Sequence, residues 1–239
     1  MTPSAQTVID AIRAASDPKR AQKSMRFFKT GPGQYAEGDI FWGLSNPQAR
    51  AIAKQYAGLN RQNLALLLDH IVHEVRLVAL VILVNQYKKA KTQQDKKAVF
   101  EFYIAHFNRV NNWDLVDIST HHIVGDYCYH YPSNLMSQWI ESGHLWTRRI
   151  AVVACLYFIR KNSYEQILDF CVRLKKDPEP LMQKACGWML REVGKKDMGT
   201  LRKFLELWGK DLPRVTLRYA IERFPEPERL AMLRQTRLP

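Results

Sequence analysis

Five stretches of this 239-residue chain place apolar residues at the same helical spacing, and that pattern limits the fold more than any other feature. Leu77, Leu80, Val81 and Val84 fit the i, i+3, i+4, i+7 template. So do Phe100, Tyr103, Ile104 and Phe107, then Ile167, Phe170, Cys171 and Leu174. Leu201, Phe204, Leu205 and Trp208 make a fourth set, and Leu217, Ala220, Ile221 and Phe224 a fifth. Each set lays one apolar stripe along a helix. No stretch shows a convincing strand alternation, and no Asn-Gly or Asp-Gly pair offers a hairpin turn. The pattern predicts an all-α fold.

The helices also repeat. A basic residue stands just before a small-and-apolar run at Arg76 (RLVAL), Arg149 (RIAVV), Lys184 (KACGW) and Arg218 (RYAI). The last three lie 35 and 34 residues apart, and the first gap of 73 has its midpoint in NNWDLVDIST, at Trp113. A period near 36 is that of helical pairs that stack into a right-handed or otherwise curved solenoid with a concave binding face. Equivalent positions then line up, so Arg76, Trp113, Arg149, Lys184 and Arg218 are expected to form a mostly cationic row. Asn46-Pro47, Asp177-Pro178, Leu212-Pro213 and Phe224-Pro225 punctuate the helices, with Asn46 expected as a cap. The reading is one domain over 1–239: an N-terminal helical pair in 1–30, a glycine-bearing loop in 31–43, and stacked repeats in 44–239.

Charge points to the partner. Thirty-six Lys and Arg against 23 Asp and Glu give a formal net charge of +13, spread along the chain. Such a surface suits phosphate polyanions. The longest apolar run, Ile150 to Ile159, has ten residues, half of the roughly 20 that a membrane-spanning helix needs. The first twenty residues lack the basic and apolar regions of a secretory signal. Cys128, Cys155, Cys171 and Cys186 form no C-x-x-C pair and sit among apolar neighbours. They read as buried thiols of a reducing cytoplasm. His70 and His73 with Asp69 and Glu74 could be drawn as metal ligands, but no further ligand follows at a recognised spacing. No glycine-rich phosphate cradle is present. The expectation is a cytoplasmic monomer without metal, cofactor or membrane.

One segment departs from the cationic row. Where the other repeats carry a cation, Asn112-Trp113-Asp114-Leu115-Val116-Asp117 carries an indole, with Asp117 one turn later on the same face. Trp146 with Arg149, and Trp188 with Arg191, repeat the pairing of indole and charge at i, i+3. At these motifs the chain resembles the AlkD-type DNA alkylation-repair glycosylases, built from HEAT-like repeats. The matching strings are W-D-L-V-D with a following Gly125-Asp126, L-W-x-x-R-x-A from Leu145 to Ala151, Q-K-A-x-G-W-x-L-R-E from Gln183 to Glu192, and F-W-G-L-S-N-P-Q-A-R from Phe41 to Arg50. The resemblance implies that Asp117 is the catalytic carboxylate and that Trp113 and Trp188 are aromatic walls against the deoxyribose. It implies that Arg149 and Arg191 hold the flanking phosphates; Arg76, Lys184 and Arg218 of the cationic row, with Arg148 and Phe27, are expected as further contacts to double-stranded DNA. The family's second-helix tyrosine falls at Phe27, or Phe28, where this chain has no hydroxyl. His121 and His122 lie outside the pattern and are read as solvated or helix-facing.

The implied activity is hydrolysis of the N-glycosidic bond of cationic 3-methyladenine- or 7-methylguanine-type purines in base-excision repair, without deep base flipping. Such a base leaves as a neutral molecule, so the site needs negative charge and indole faces near the sugar more than it needs an acid. The rival is a non-catalytic HEAT-repeat scaffold for nucleic acid or protein, in which Asp117 is half of a structural ion pair.

Overall fold

The structure, a computed structural model, describes residues 3–235, leaving the first two and last four positions of the expected domain outside it. The described residues are all-helical, as the periodicity predicts; a lone parallel bridge between Ile40 and Val72 is their one strand-like pairing. The chain forms two compact units, Met1–Ile123 and Val124–Pro239.

The first unit holds α1 (Ala5–Ala14), α2 (Pro18–Phe28), α3 (Asn46–Gln55), α4 (Arg61–Leu68), α5 (His73–Lys89), α6 (Gln93–Ala105) and α7 (Trp113–Thr120). Local chemistry sets the starts. The Asp17 carboxylate accepts from the backbone N–H groups of Lys19 and Arg20, with Pro18 opening α2. The α3 cap is Ser45, one residue before the Asn46 that the sequence suggested. Ser45 and Gln48 satisfy each other's backbone N–H in a capping box, which a neighbouring Asn cannot match. α5 lies at the centre, packed against α1, α3, α4, α6 and α7. It is buried at every position from His73 to Val84, so it is a core helix with no solvent face in that stretch.

The end of the turns between α2 and α3 is tied to α5 by Glu74. The buried Glu74 carboxylate accepts the N–H groups of Trp42, Gly43 and Leu44 at 3.0, 2.8 and 3.2 Å. Gly43 sits at φ +82°, and a Cβ there would stand 2.1 Å from the Asp17 carbonyl oxygen. Only glycine fits that approach.

The second unit holds α8 (Asp126–His130), α9 (Leu135–Trp139), α10 (Leu145–Arg160), α11 (Glu165–Arg173), α12 (Pro180–Lys196), α13 (Met198–Trp208), α14 (Arg214–Ala220) and α15 (Glu226–Gln235). The first helices of its pairs, α10, α12 and α14, begin 35 and 34 residues apart, the spacing of the sequence repeat. α10 packs on α8, α9, α11 and α12, and α12 packs in turn on α11, α13 and α14. The stack closes through glycine. A Cβ on Gly187 would stand 2.5 Å from both the Thr216 carbonyl oxygen and the Tyr219 Cβ. One on Gly125 would meet the Ala154 carbonyl oxygen at 2.4 Å and the Tyr157 Cβ at 2.7 Å, the same arrangement in an earlier repeat. Cys128, Cys155, Cys171 and Cys186 are all buried free thiols. Burial pushes the Cys128 thiol up to about 12, and Cys155 and Cys171 well above the ordinary range.

Candidate active site

The start of α7 carries the candidate chemistry. Asn112 is its N-cap, fully buried, and its side-chain carbonyl accepts from the Trp113 N–H at 2.8 Å. Asp114 in the first turn suits the positive end of the helix dipole. Trp113 and Asp117, one turn apart, are both half-buried. Behind them the Tyr103 hydroxyl bonds Ser119 Oγ at 2.9 Å and Thr120 Oγ1 at 2.7 Å. Burial, with the negative charge of Asp117 added, pushes that phenol up to about 12, so it stays neutral.

The Trp113 indole is held on several sides. Its ring stacks on Phe28 at 5.1 Å and 17° and meets Phe27 edge-on at 5.7 Å. Its Nε1–H donates to the Tyr35 hydroxyl at 3.2 Å. Both candidate phenylalanines therefore touch the indole: Phe28 as the stacked partner, and Phe27, 65% exposed, as the outer one. The hydroxyl absent from α2 is supplied nearby by Tyr35, from the turns after it. Sequence reasoning missed Tyr35, because nothing local links position 35 to position 113.

Below the indole lies a buried ionic cluster that the sequence also did not reveal. His73 Nδ1 is 3.1 Å from Asp39 Oδ2, and its Nε2 is 2.8 Å from Asp114 Oδ2. Arg76 donates to Asp39 Oδ1 at 2.6 Å, and Asn112 Nδ2 to Asp39 Oδ2 at 3.3 Å. Burial alone would push the imidazole down, but Asp114 and Asp39 overcome it and hold His73 at about 9. Burial likewise opposes ionisation of Asp39, yet His73 and Arg76 keep its carboxyl below the usual range.

Arg76 is therefore not part of an exposed cationic row. It is 2% exposed, and besides Asp39 it donates to the His70 and Ile71 carbonyls. A guanidinium with five donors is used here to satisfy loop carbonyls. His121 is buried at the start of a π-helical turn, His121–Gly125, and His122 lies 3.2 Å from Lys88 Nζ. Among the described residues, no group of three or more His, Cys, Asp or Glu is placed to hold a metal ion.

In the second unit the row divides by depth. Arg149 is 5% exposed and donates to the Leu181 carbonyl, at the start of α12, at 2.7 Å. The repeat position that reads as a surface cation is turned inward here to the next helix pair. Arg148 is half-buried, 2.8 Å from Asp177 and 2.8 Å from the Ser142 carbonyl. Lys184 and Arg218 are exposed, one repeat apart on α12 and α14. Trp188, one turn after Lys184, is half-buried and donates to Glu192 at 3.1 Å. Arg191 is half-buried and paired with Glu222.

The chain is similar to several known proteins. A family model described as DNA alkylation repair enzyme matches residues 8–224. A solved structure described as a predicted DNA alkylation repair enzyme from Enterococcus faecalis superposes with a TM-score of 0.68 at 17% identity, covering 88% of this chain and 97% of that one. AlkD2 from Streptococcus mutans superposes with a TM-score of 0.54 at 17% identity, over 92% and 98%. The smu.31 protein of Streptococcus mutans UA159 gives 0.54 at 18%, over 93% and 99%. At such identities the likeness is one of fold. No curated protein sequence matches the chain. It is the family match, spanning most of the sequence, that assigns the chain: it belongs to the DNA alkylation repair enzymes.

Proposed function

We propose that this DNA repair enzyme is an N-glycosylase that hydrolyses the glycosidic bond of cationic alkylated purines such as 7-methylguanine and 3-methyladenine. The observation that carries the reading is the pair Trp113 and Asp117, one turn apart on α7 and both partly open to solvent, with the indole fixed by Phe28 and Tyr35. As the bond breaks, its electron pair neutralises the leaving base, and positive charge develops on the deoxyribose. The Asp117 carboxylate and the Trp113 face stabilise that charge, and Asp117 orients the water that adds at the anomeric carbon. One opposite-charge pair at about 4 Å and an effective dielectric near 20 is worth roughly 4 kcal/mol. That is on the order of a thousandfold in rate. A bond already weakened by the positive charge on the base needs little more.

DNA would be held through its backbone, with the lesion left near the duplex. Exposed Lys184 and Arg218 suit phosphate contacts, and Phe27 offers an apolar edge beside Trp113. The test is release of free base from methylated duplex DNA, read by chromatography. Excision above the spontaneous rate is expected. Asp117→Asn should lose about 10²–10³ in single-turnover rate while binding DNA as before. Absence of excision by the unmodified enzyme removes the glycosylase reading, and equal loss of binding and rate in the variant makes Asp117 structural.

A further inference from the structure

Four rings pack together at the candidate site, with His73 also 5.1 Å from Phe28 at a tilt of 38°. His73 stacks on Phe41 at 4.5 Å and 22°, Phe41 on Phe28 at 4.9 Å and 18°, and Phe28 on Trp113 at 5.1 Å and 17°. The same His73 bonds Asp114, the residue after Trp113, and Asp39, which also takes a bond from the α7 cap Asn112. Three segments far apart in sequence, the turns around 35–41, the start of α5 and the start of α7, therefore meet at one imidazole.

We propose that His73, clasped between Asp39 and Asp114, is a positioning residue for Trp113 and Asp117. The proposal rests on the glycosylase reading of those two side chains. The charged groups facing His73 are Asp39 from the turns, Asp114 from α7 and Arg76 one turn along α5; the neighbouring Glu74 carboxylate is bound to the backbone N–H groups of Trp42, Gly43 and Leu44. Two carboxylates against one guanidinium and one imidazolium balance. With a neutral imidazole, one buried negative charge would be left over. Buried ionic clusters of this kind add little net stability over an apolar replacement, and their best-attested use is to specify one arrangement. Here the arrangement specified is the first turn of α7 and the plane of the indole. A displacement of about 1 Å at a reacting group costs as much as 10²-fold in rate, which gives a clasp at this place its value.

The test uses the full-length enzyme and His73→Phe, which keeps a ring in the stack and removes both carboxylate bonds. Two readouts are needed. One is the indole Nε1–H resonance of Trp113 in ¹⁵N-labelled protein, assigned by its disappearance in Trp113→Phe. The other is single-turnover excision, with binding measured separately, on a duplex holding one 7-methylguanine. The clasp predicts a shifted or broadened Trp113 resonance and a rate lower by about 10–100-fold, with DNA affinity changed less than about twofold. If His73→Phe does not fold, Asp114→Asn, which retains an acceptor for His73 Nε2, should show the same changes in weaker form. A folded variant with an unshifted resonance and the unmodified rate overturns the clasp. If the unmodified enzyme excises nothing, the glycosylase reading falls, while the indole resonance still decides whether His73 positions Trp113.

Discussion

Replacing Gly187 with alanine sets two effects of similar size against each other. Alanine is the better helix former by about 1 kcal/mol in a helix interior, and Gly187 is well inside α12. The new Cβ, however, would stand 2.5 Å from the Thr216 carbonyl oxygen and 2.5 Å from the Tyr219 Cβ. Carbon–oxygen contacts ordinarily lie at about 3.3–3.6 Å, so α12 and α14 must part by roughly 0.8 Å at this point. Neither obstacle is a flexible side-chain end that can swing aside. Overpacking therefore falls towards the upper part of its range of about 1–3 kcal/mol. Packing wins, and Gly187→Ala should destabilise the protein by about 2 kcal/mol, a fall in Tm of about 4–8 °C for a chain of this length. The control is Gly199→Ala, exposed in the first turn of α13, where the only Cβ contact is Asp197 Oδ1 at 3.3 Å. There the Asp197 cap oxygen, bonded to Thr200, need give by only a few tenths of an ångström, which offsets part of the propensity gain, and Tm should stay close to that of the parent. Calorimetry of both variants decides the matter. A Gly187→Ala protein as stable as its parent would mean that the close approach of α12 and α14 is not a packing constraint.

Stability should also depend on pH through His73. Its folded value of about 9 lies above the ordinary 6.5, so its contribution is complete below about pH 6.5 and is lost as pH rises through 9. The difference is worth about 3 kcal/mol. Asp39 acts in the opposite sense: its depressed carboxyl contributes above the ordinary carboxylate range and is lost on acidification. Denaturant unfolding should give a plateau between those limits, and His73→Phe should abolish the alkaline fall. On DNA, Lys184→Ala and Arg218→Ala should each lower the salt slope of binding by about 0.9, equally on all sequences; a sequence-dependent loss would place those side chains on bases.

Much of this was legible in the sequence, for physical reasons. α10, α12 and α14 announce themselves because each must bury an apolar face against the next, and the 35- and 34-residue spacing survives intact in their starts. Trp113 and Asp117 could be paired because one helical turn separates them. What could not be read is depth. A cation before an apolar run looks the same whether it meets solvent, as at Lys184, or backbone carbonyl groups, as at Arg76 and Arg149. Contacts of long sequence separation leave no local trace either. Asp39, His73 and Asp114 are joined only once the chain has folded, as are Tyr35 and Trp113. The sequence showed the indole and the carboxylate but not the frame that holds them.

The four cysteines have a consequence for a repair protein in particular. Reagents that methylate purines also attack sulfur, and they do so through the anion. With every thiol enclosed, and Cys128, Cys155 and Cys171 kept from ionising, the second unit offers those reagents almost no thiolate. Methylating chemistry that damages the bases therefore finds no open thiolate at these three positions.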